Sequence, residues 1–313
     1  MPSPKPEPLQ PSDLATALAV IFIWGINFVV MKLGLAHFTA FQLGVGRFLF
    51  AFLPLALWIR PPSVRTRWLL AFGLAQGVGQ FGFLFVALQV GMTAALASVL
   101  MQTQVFFTAM LGLALLGERV GRPLQVGLGF AAAGLGCLAG SVLLAGQAAG
   151  VTGWGLLLNL GSAAMWAVSN IVVRKAQEES AGFDALGFVV WSSAFAILPF
   201  AGLSLAFDAP AAHANWLHAP LAGWLGIAFL GWIATAMAYG LWTRLLKRYP
   251  ANRVAPFSLG VPLVGLAAGI GLLGERVTPL QWGGALLLVC ALVSVLLGPV
   301  LLQAGARPAR PGP

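Results

Sequence analysis

Charge is what this sequence has least of. Only 8% of its 313 residues are Asp, Glu, Lys or Arg, while 59% are hydrophobic, and the mean hydropathy is +0.92. Soluble proteins carry about a quarter charged residues. No water-soluble fold of this length hides so much apolar surface, so the solvent is lipid. Cysteine is nearly absent as well. Cys137 and Cys290 both lie deep in apolar runs. Two such thiols exclude a disulfide framework and a four-ligand metal site, and both read as packing residues. The three histidines, His37, His213 and His218, fall between apolar runs. The eight acids are Glu7, Asp13, Glu118, Glu178, Glu179, Asp184, Asp208 and Glu275, and none lies in the middle of a run. A proton relay through mid-membrane carboxylates therefore has no residues to use. Paired carboxylates, a His/Cys cluster and a Gly-rich phosphate loop are also missing. An embedded enzyme has no visible apparatus, and neither a metal nor a cofactor is expected.

What is present is apolar length. Ten runs approach or exceed the ~20 residues an α-helix needs to cross the hydrocarbon layer. They lie at roughly 14–35, 41–60, 68–88, 92–116, 123–145, 151–175, 184–206, 220–245, 252–273 and 280–302. Strands of a transmembrane barrel are about half that length and alternate in polarity, which excludes a barrel. The expected class is an all-α integral membrane protein. Prolines at 2, 4, 6, 8 and 11 make residues 1–12 an extended tail. The run after it is too long for a cleaved signal, and Asp13 rather than a basic segment precedes it. Of the 17 basic residues, all but Lys32, Arg47 and Arg276 fall on the side of the N-terminus when the ten spans are threaded. Basic loops stay in the cytoplasm, so both termini are expected there. The net charge of +9 records this bias, and no nucleic-acid partner is expected.

The runs also repeat. Trp24-Gly-Ile-Asn27-Phe-Val-Val-Met-Lys32 is echoed by Trp166-Ala-Val-Ser-Asn170-Ile-Val-Val-Arg-Lys175. Gly117-Glu118-Arg119-Val120 returns as Gly274-Glu275-Arg276-Val277, and Pro-Leu-Gln-x-Gly follows both. The chain is two versions of one unit, expected at 13–146 and 150–302, with a second tail at 303–313. Each unit has five spans. Five is odd, so the second copy enters the membrane upside down. Inverted repeats place a substrate site near the midplane between the halves and support alternating access. A channel would call for a pore ring, usually built by oligomerisation. Two inverted halves need none, and a monomer is expected.

The candidate site residues are polar or aromatic groups at mid-span: Trp24, Asn27, Arg47, Gln80, Gln102, Trp166, Asn170, Trp191, Tyr239 and Ser258. Arg47 is the only cation inside a span. It lies about 9 Å below the outer end of the second run, at 1.5 Å per residue. An intramembrane cation is either a contact for an anionic substrate group or an anchor on backbone carbonyls. Gln102 and Gln104 are two apart and diverge around a helix, so both should not face one cavity squarely. Trp24, Trp166, Trp191 and Trp242 suit either a cavity wall or an interfacial belt. Pro256 and Pro262 are helix-break residues in the ninth run. Each lacks an N–H and leaves a carbonyl without its helical partner. Such backbone is tolerated only against protein or water.

These residues carry a resemblance. Trp24-Gly-x-Asn27-Phe-Val-Val-x-Lys32, Arg47-Phe48, Gln80-Phe-x-Phe-Leu-Phe85, Gln102-x-Gln104-x-Phe-Phe-Thr108, the two Gly-Glu-Arg turns, Tyr239-Gly-x-Trp242 and Arg253-Val-Ala-Pro256-x-Ser258-Leu resemble the EamA-type transporters of the drug/metabolite transporter superfamily. The likeness covers both repeats and leaves out only the tails. Within that superfamily it is to bacterial exporters of cysteine and O-acetylserine. It implies a secondary transporter of the bacterial inner membrane, not an enzyme, whose partners are membrane lipid and a small amino-acid substrate. Relatives with similar motifs export other amino acids, drugs and metabolites.

Overall fold

The computed structural model describes residues 10–116, 121–145, 150–180, 182–249 and 251–305; the Gly117-Glu118-Arg119 turn and most of both tails lie outside them. Every regular element among the described residues is helical. Ten helices are long and apolar enough to cross a membrane. Spans one to five are Pro11–Gly34, Ala40–Leu57, Thr66–Gln89, Ala94–Leu115 and Arg122–Leu144. Spans six to ten are Gly153–Glu179, Ala185–Phe207, Leu221–Arg248, Pro256–Leu273 and Pro279–Gly298. Helix is the fold lipid allows, since it satisfies every backbone group within the segment. The ends are fixed by local chemistry. Thr39 and Gln42 form a capping box at span two. Thr93, Thr152 and Asp184 cap spans four, six and seven through their side-chain oxygens. Asp13 in the first turn of span one and Lys32 in its last both complement the helix dipole.

The two halves are built alike. Span three widens into a π-helix over Gly73–Phe81, and span eight does so over Phe229–Met237. In the latter, Thr235 Oγ1 donates to the Leu230 carbonyl five residues back, at 2.8 Å. Span four tightens into a 3-10 turn at Met101–Thr103, and span nine begins with one at Ala255–Leu259. Departures from regular α-helix of this kind cluster where a helix lines a site or hinges. Pro256 lies in the second 3-10 turn. Pro262 lies in the first turn of the helix Gly260–Leu273, where a missing N–H leaves nothing unsatisfied.

Close approaches follow the same twofold logic. A Cβ on Gly134 of span five would lie 2.9 Å from the Gly284 carbonyl oxygen of span ten, and one on Gly284 would lie 2.9 Å from that of Gly134. Small residues let these backbones touch, as membrane helices require for tight association. Met31, Leu43, Leu84, Phe85, Leu88 and Phe200 are fully buried between the spans. Asp13 reads from the sequence as a span-end acid, yet it is only 3% exposed. Tyr249 Oη donates to it at 2.7 Å and Arg248 pairs with it at 2.9 Å, tying span one to the end of span eight.

Candidate functional site

A cavity of about 310 Å³ lies between the halves, within the range of small-molecule sites. Trp24, Asn27, Arg47, Gln80, Gln102, Trp166, Asn170, Tyr239 and Ser258 line it. They come from spans one, two, three, four, six, eight and nine. Trp191 does not line it. Its indole N–H donates to the Ile59 carbonyl at 2.9 Å and its ring meets Phe52 edge-on at 5.5 Å, near the end of the bundle that carries Pro11. That is an interfacial seat rather than a cavity wall, and it corrects the sequence expectation. Gln102 and Gln104 both border the cavity. The 3-10 turn at Met101–Thr103 interrupts the helix between them, so an undisturbed 100° step is the wrong rule there. Gln104 also accepts from Asn170 Nδ2 of span six at 2.9 Å.

Trp242, Phe81 and Gln104 also line the wall without being among the candidate site residues. Trp242 sits one helical turn after Tyr239, and that spacing is the signal that could have included it. The Trp24 ring packs 5.3 Å from Tyr239 and 5.4 Å from Trp242, while its N–H donates to the Ala234 carbonyl in the π segment. Gln76 Nε2 donates to Tyr239 Oη at 3.4 Å, and Ser169 Oγ donates to Gln76 Oε1. Gln80 is 4% exposed, and its Oε1 has no hydrogen-bond partner.

Arg47 dominates the electrostatics. Its side chain is 1% exposed. Nη1 donates to Asn27 Oδ1 at 3.4 Å, the guanidinium carbon lies 3.8 Å from the centre of the Phe81 ring, and Nε has no partner. Among the described residues, no ion pair involves it. A desolvated cation–π contact contributes about 2 kcal/mol, and one long hydrogen bond about 1. Burial of an unpaired ion costs several kcal/mol. The protein leaves the balance unpaid, so an anion brought into the cavity would complete the site.

The two ends of the cavity differ. Toward the end with Pro11 lies a second space of about 570 Å³, which shares Trp166, Asn170, Tyr239 and Trp242 as wall and extends to Arg174, Gln177 and Lys247. The opposite end is laced shut. Lys32 Nζ donates to the Leu88 and Met92 carbonyls at 2.5 and 3.0 Å. Glu275 accepts from the Ala94 and Ala95 amides at 2.7 and 2.8 Å, at the start of span four. Asp208 accepts from Thr39 and Ser204, and Gln42 donates to the Ala212 carbonyl. The Phe38, Trp216 and Trp224 rings pack together at that end.

Two inverted five-span halves around a polar cavity, open at one end and closed at the other, define a membrane transporter. The model of the EamA-like transporter family matches residues 12–140 and again 153–297, and the chain belongs to that family. It is 38% identical over 283 residues to a protein of Salmonella typhimurium named as a probable amino-acid metabolite efflux pump, covering 90% of this chain and 94% of that one. A protein of the same name in Escherichia coli is 38% identical over 287 residues, with 91% and 95% covered. A solved crystal structure shares the fold at a TM-score of 0.58 and 18% identity, across 94% of this chain and all of that one. The chain is therefore a multi-pass transporter of the bacterial inner membrane and not an enzyme.

Proposed function

We propose that the protein exports small amino-acid metabolites of the cysteine and O-acetylserine kind by alternating access. Both termini are cytoplasmic in this reading, so the 570 Å³ vestibule faces the cytoplasm and the laced end faces outward. The basic bias supports that orientation. The units are residues 13–146 and 150–302. The observation that carries the reading is Arg47, a buried guanidinium with no acid partner at a cavity sized for a small metabolite. A substrate carboxylate would pair with it. Trp24, Asn27, Gln80, Gln102, Trp166, Asn170, Tyr239 and Ser258 hold the remainder of the substrate. Paired π segments and 3-10 turns in the two halves support a mechanism in which the halves exchange shapes. None of the cavity-lining residues is a carboxylate, so export runs down the substrate gradient without an obligatory proton.

Purified protein in liposomes, given a panel of labelled amino acids with and without a pH gradient, tests this. Counterflow of cysteine or O-acetylserine that persists at equal pH is the expected result. Transport of no amino acid in the panel refutes the export reading, and strict dependence on the proton gradient refutes the uncoupled mechanism.

A further inference from the structure

We propose that the site recognises the carboxylate of its substrate and not the charged amine, so that N-acylated amino acids bind it more tightly than the parent amino acids. This rests on the export reading above and narrows its substrate class.

The charge inventory of the cavity carries the inference. Arg47 brings one cation into the wall, and Arg174 and Lys247 add two along the vestibule. No Asp or Glu lines either space. The described acids are engaged or placed elsewhere. Asp13 is held by Arg248 and Tyr249, and Glu179 is paired with Arg65 and Arg67. Glu178 is exposed near the end of span six, Asp184 caps span seven, and Asp208 and Glu275 belong to the closed end. An α-ammonium entering with its carboxylate would thus meet neutral oxygens and aromatic faces, which attract a cation but do not replace a carboxylate, alongside a cation of its own sign. Desolvating a charge without a counter-charge is unfavourable.

Acylation removes that charge and leaves one amide N–H. Gln80 of the wall carries a buried Oε1 that accepts no hydrogen bond, and an amide N–H would match it. Arg47 Nε is an unpartnered donor and Gln80 Oε1 an unpartnered acceptor in the same cavity. Both atoms are shielded from the cavity surface, so a carboxylate with a neighbouring amide N–H would satisfy both once Arg47 and Gln80 turn toward it, as buried polar groups require. The cavity of about 310 Å³ leaves room for a small acyl group.

O-acetylserine and N-acetylserine are isomers of one composition that differ in whether the nitrogen is charged. Equilibrium binding of each labelled isomer to the purified protein, in mildly acidic buffer where acyl migration is slow, is measured beside counterflow in liposomes. Serine methyl ester, which keeps the ammonium and lacks the carboxylate, is the third probe. N-acetylserine should bind about tenfold more tightly than O-acetylserine, and the ester should not compete. In Gln80→Met, which keeps the length and removes the acceptor, the preference should shrink to about twofold while the folded yield stays high. Tighter binding of O-acetylserine, or competition by the ester, overturns the inference and leaves the export reading standing. Binding in the expected order without counterflow of any amino acid has the opposite effect. If neither isomer binds, both fall.

Discussion

The two halves of this transporter share a backbone plan and differ in the side chains they bring to the cavity. Each has a π-helical third span and a 3-10 turn in its fourth, at Gly73–Phe81 and Met101–Thr103, then at Phe229–Met237 and Ala255–Leu259. The chemistry is shared only in part, where Trp24 and Asn27 are matched by Trp166 and Asn170. Counted from their N-cap residues Thr39 and Asp184, Arg47 and Ser192 occupy the same position in the second span of each half. The first half contributes the cation and three glutamines, Gln80, Gln102 and Gln104. The second contributes Trp166, Tyr239 and Trp242. Movement needs two halves that can exchange conformations, and this favours symmetry of the backbone. Recognition of a small asymmetric molecule needs different groups on its two sides.

The largest effect should come from removing the asymmetry. Arg47→Gln is expected to weaken substrate binding at least about 30-fold, the loss of 2 kcal/mol or more that follows truncation of one partner of a buried charge pair. Because the free protein buries that charge unpaired, Arg47→Met should melt higher than the parent in the absence of substrate. Arg47→Lys should fold in normal yield and bind about tenfold more weakly, since an ammonium cannot reproduce the two-pronged contact of a guanidinium. Size exclusion read by fluorescence, alongside binding affinity, separates these outcomes. A well-folded Arg47→Lys protein with unchanged affinity would remove Arg47 from the site.

The next effect sharpens the contrast between the two ends of the cavity. Glu275 is charge-matched to two amides at the start of span four, and it closes the end opposite the vestibule. Glu275→Ala should lose about 2 kcal/mol of hydrogen bonding to a charged group. A cysteine placed at Ser98, with Cys137 and Cys290 replaced, should then react faster with an impermeant thiol reagent added from that end. An unchanged labelling rate would mean that Glu275 caps a helix without locking a gate. One closely packed glycine in each π segment tests how tightly the two segments are seated. An added Cβ would lie 2.4 Å from the Ser192 carbonyl oxygen at Gly73 and 2.5 Å from Phe50 Cβ at Gly231. Gly73→Ala and Gly231→Ala should each lower folded yield severalfold, whereas Gly283→Ala, with nothing within 4 Å, should not. A strong effect at only one of the two would mean that only one π segment is locked by close packing.

The fold was legible in the sequence because lipid leaves few choices. Spanning length, basic bias and the repeated Asn-containing and Gly-Glu-Arg stretches define ten spans and two halves before any packing is known. The cavity was legible for a related reason. Asn27, Gln80, Gln102 and Asn170 are conspicuous in apolar runs because lipid cannot satisfy them. What escaped were properties set by neighbours. The π segments have no composition that announces them. Gln102 and Gln104 were expected to diverge on a regular helix, but the 3-10 turn separates them. Asp13 reads from the sequence only as a span-end acid, and its pairing with Arg248 and Tyr249, more than 200 positions away, is set by the packing of spans one and eight.

The smallest expected effect belongs to Trp191, and it tests the boundary of the site. The sequence placed it with Trp24 and Trp166, because all three are aromatic and deep in apolar runs. Around a helix, however, the side facing a cavity is set by rotation, which a single aromatic residue does not reveal. Its N–H is held by the Ile59 carbonyl and its ring by Phe52. Trp191→Phe keeps most of the apolar contact and deletes one hydrogen bond, so stability should fall by about 1 kcal/mol. Substrate affinity should stay within about twofold of the parent. Trp166→Phe is the matched control, because Trp166 lines both the cavity and the vestibule. It should weaken binding severalfold at similar stability. If instead Trp191→Phe weakened binding as much as Trp166→Phe, the substrate path would have to extend past Phe52, and the cavity described here would be only part of it.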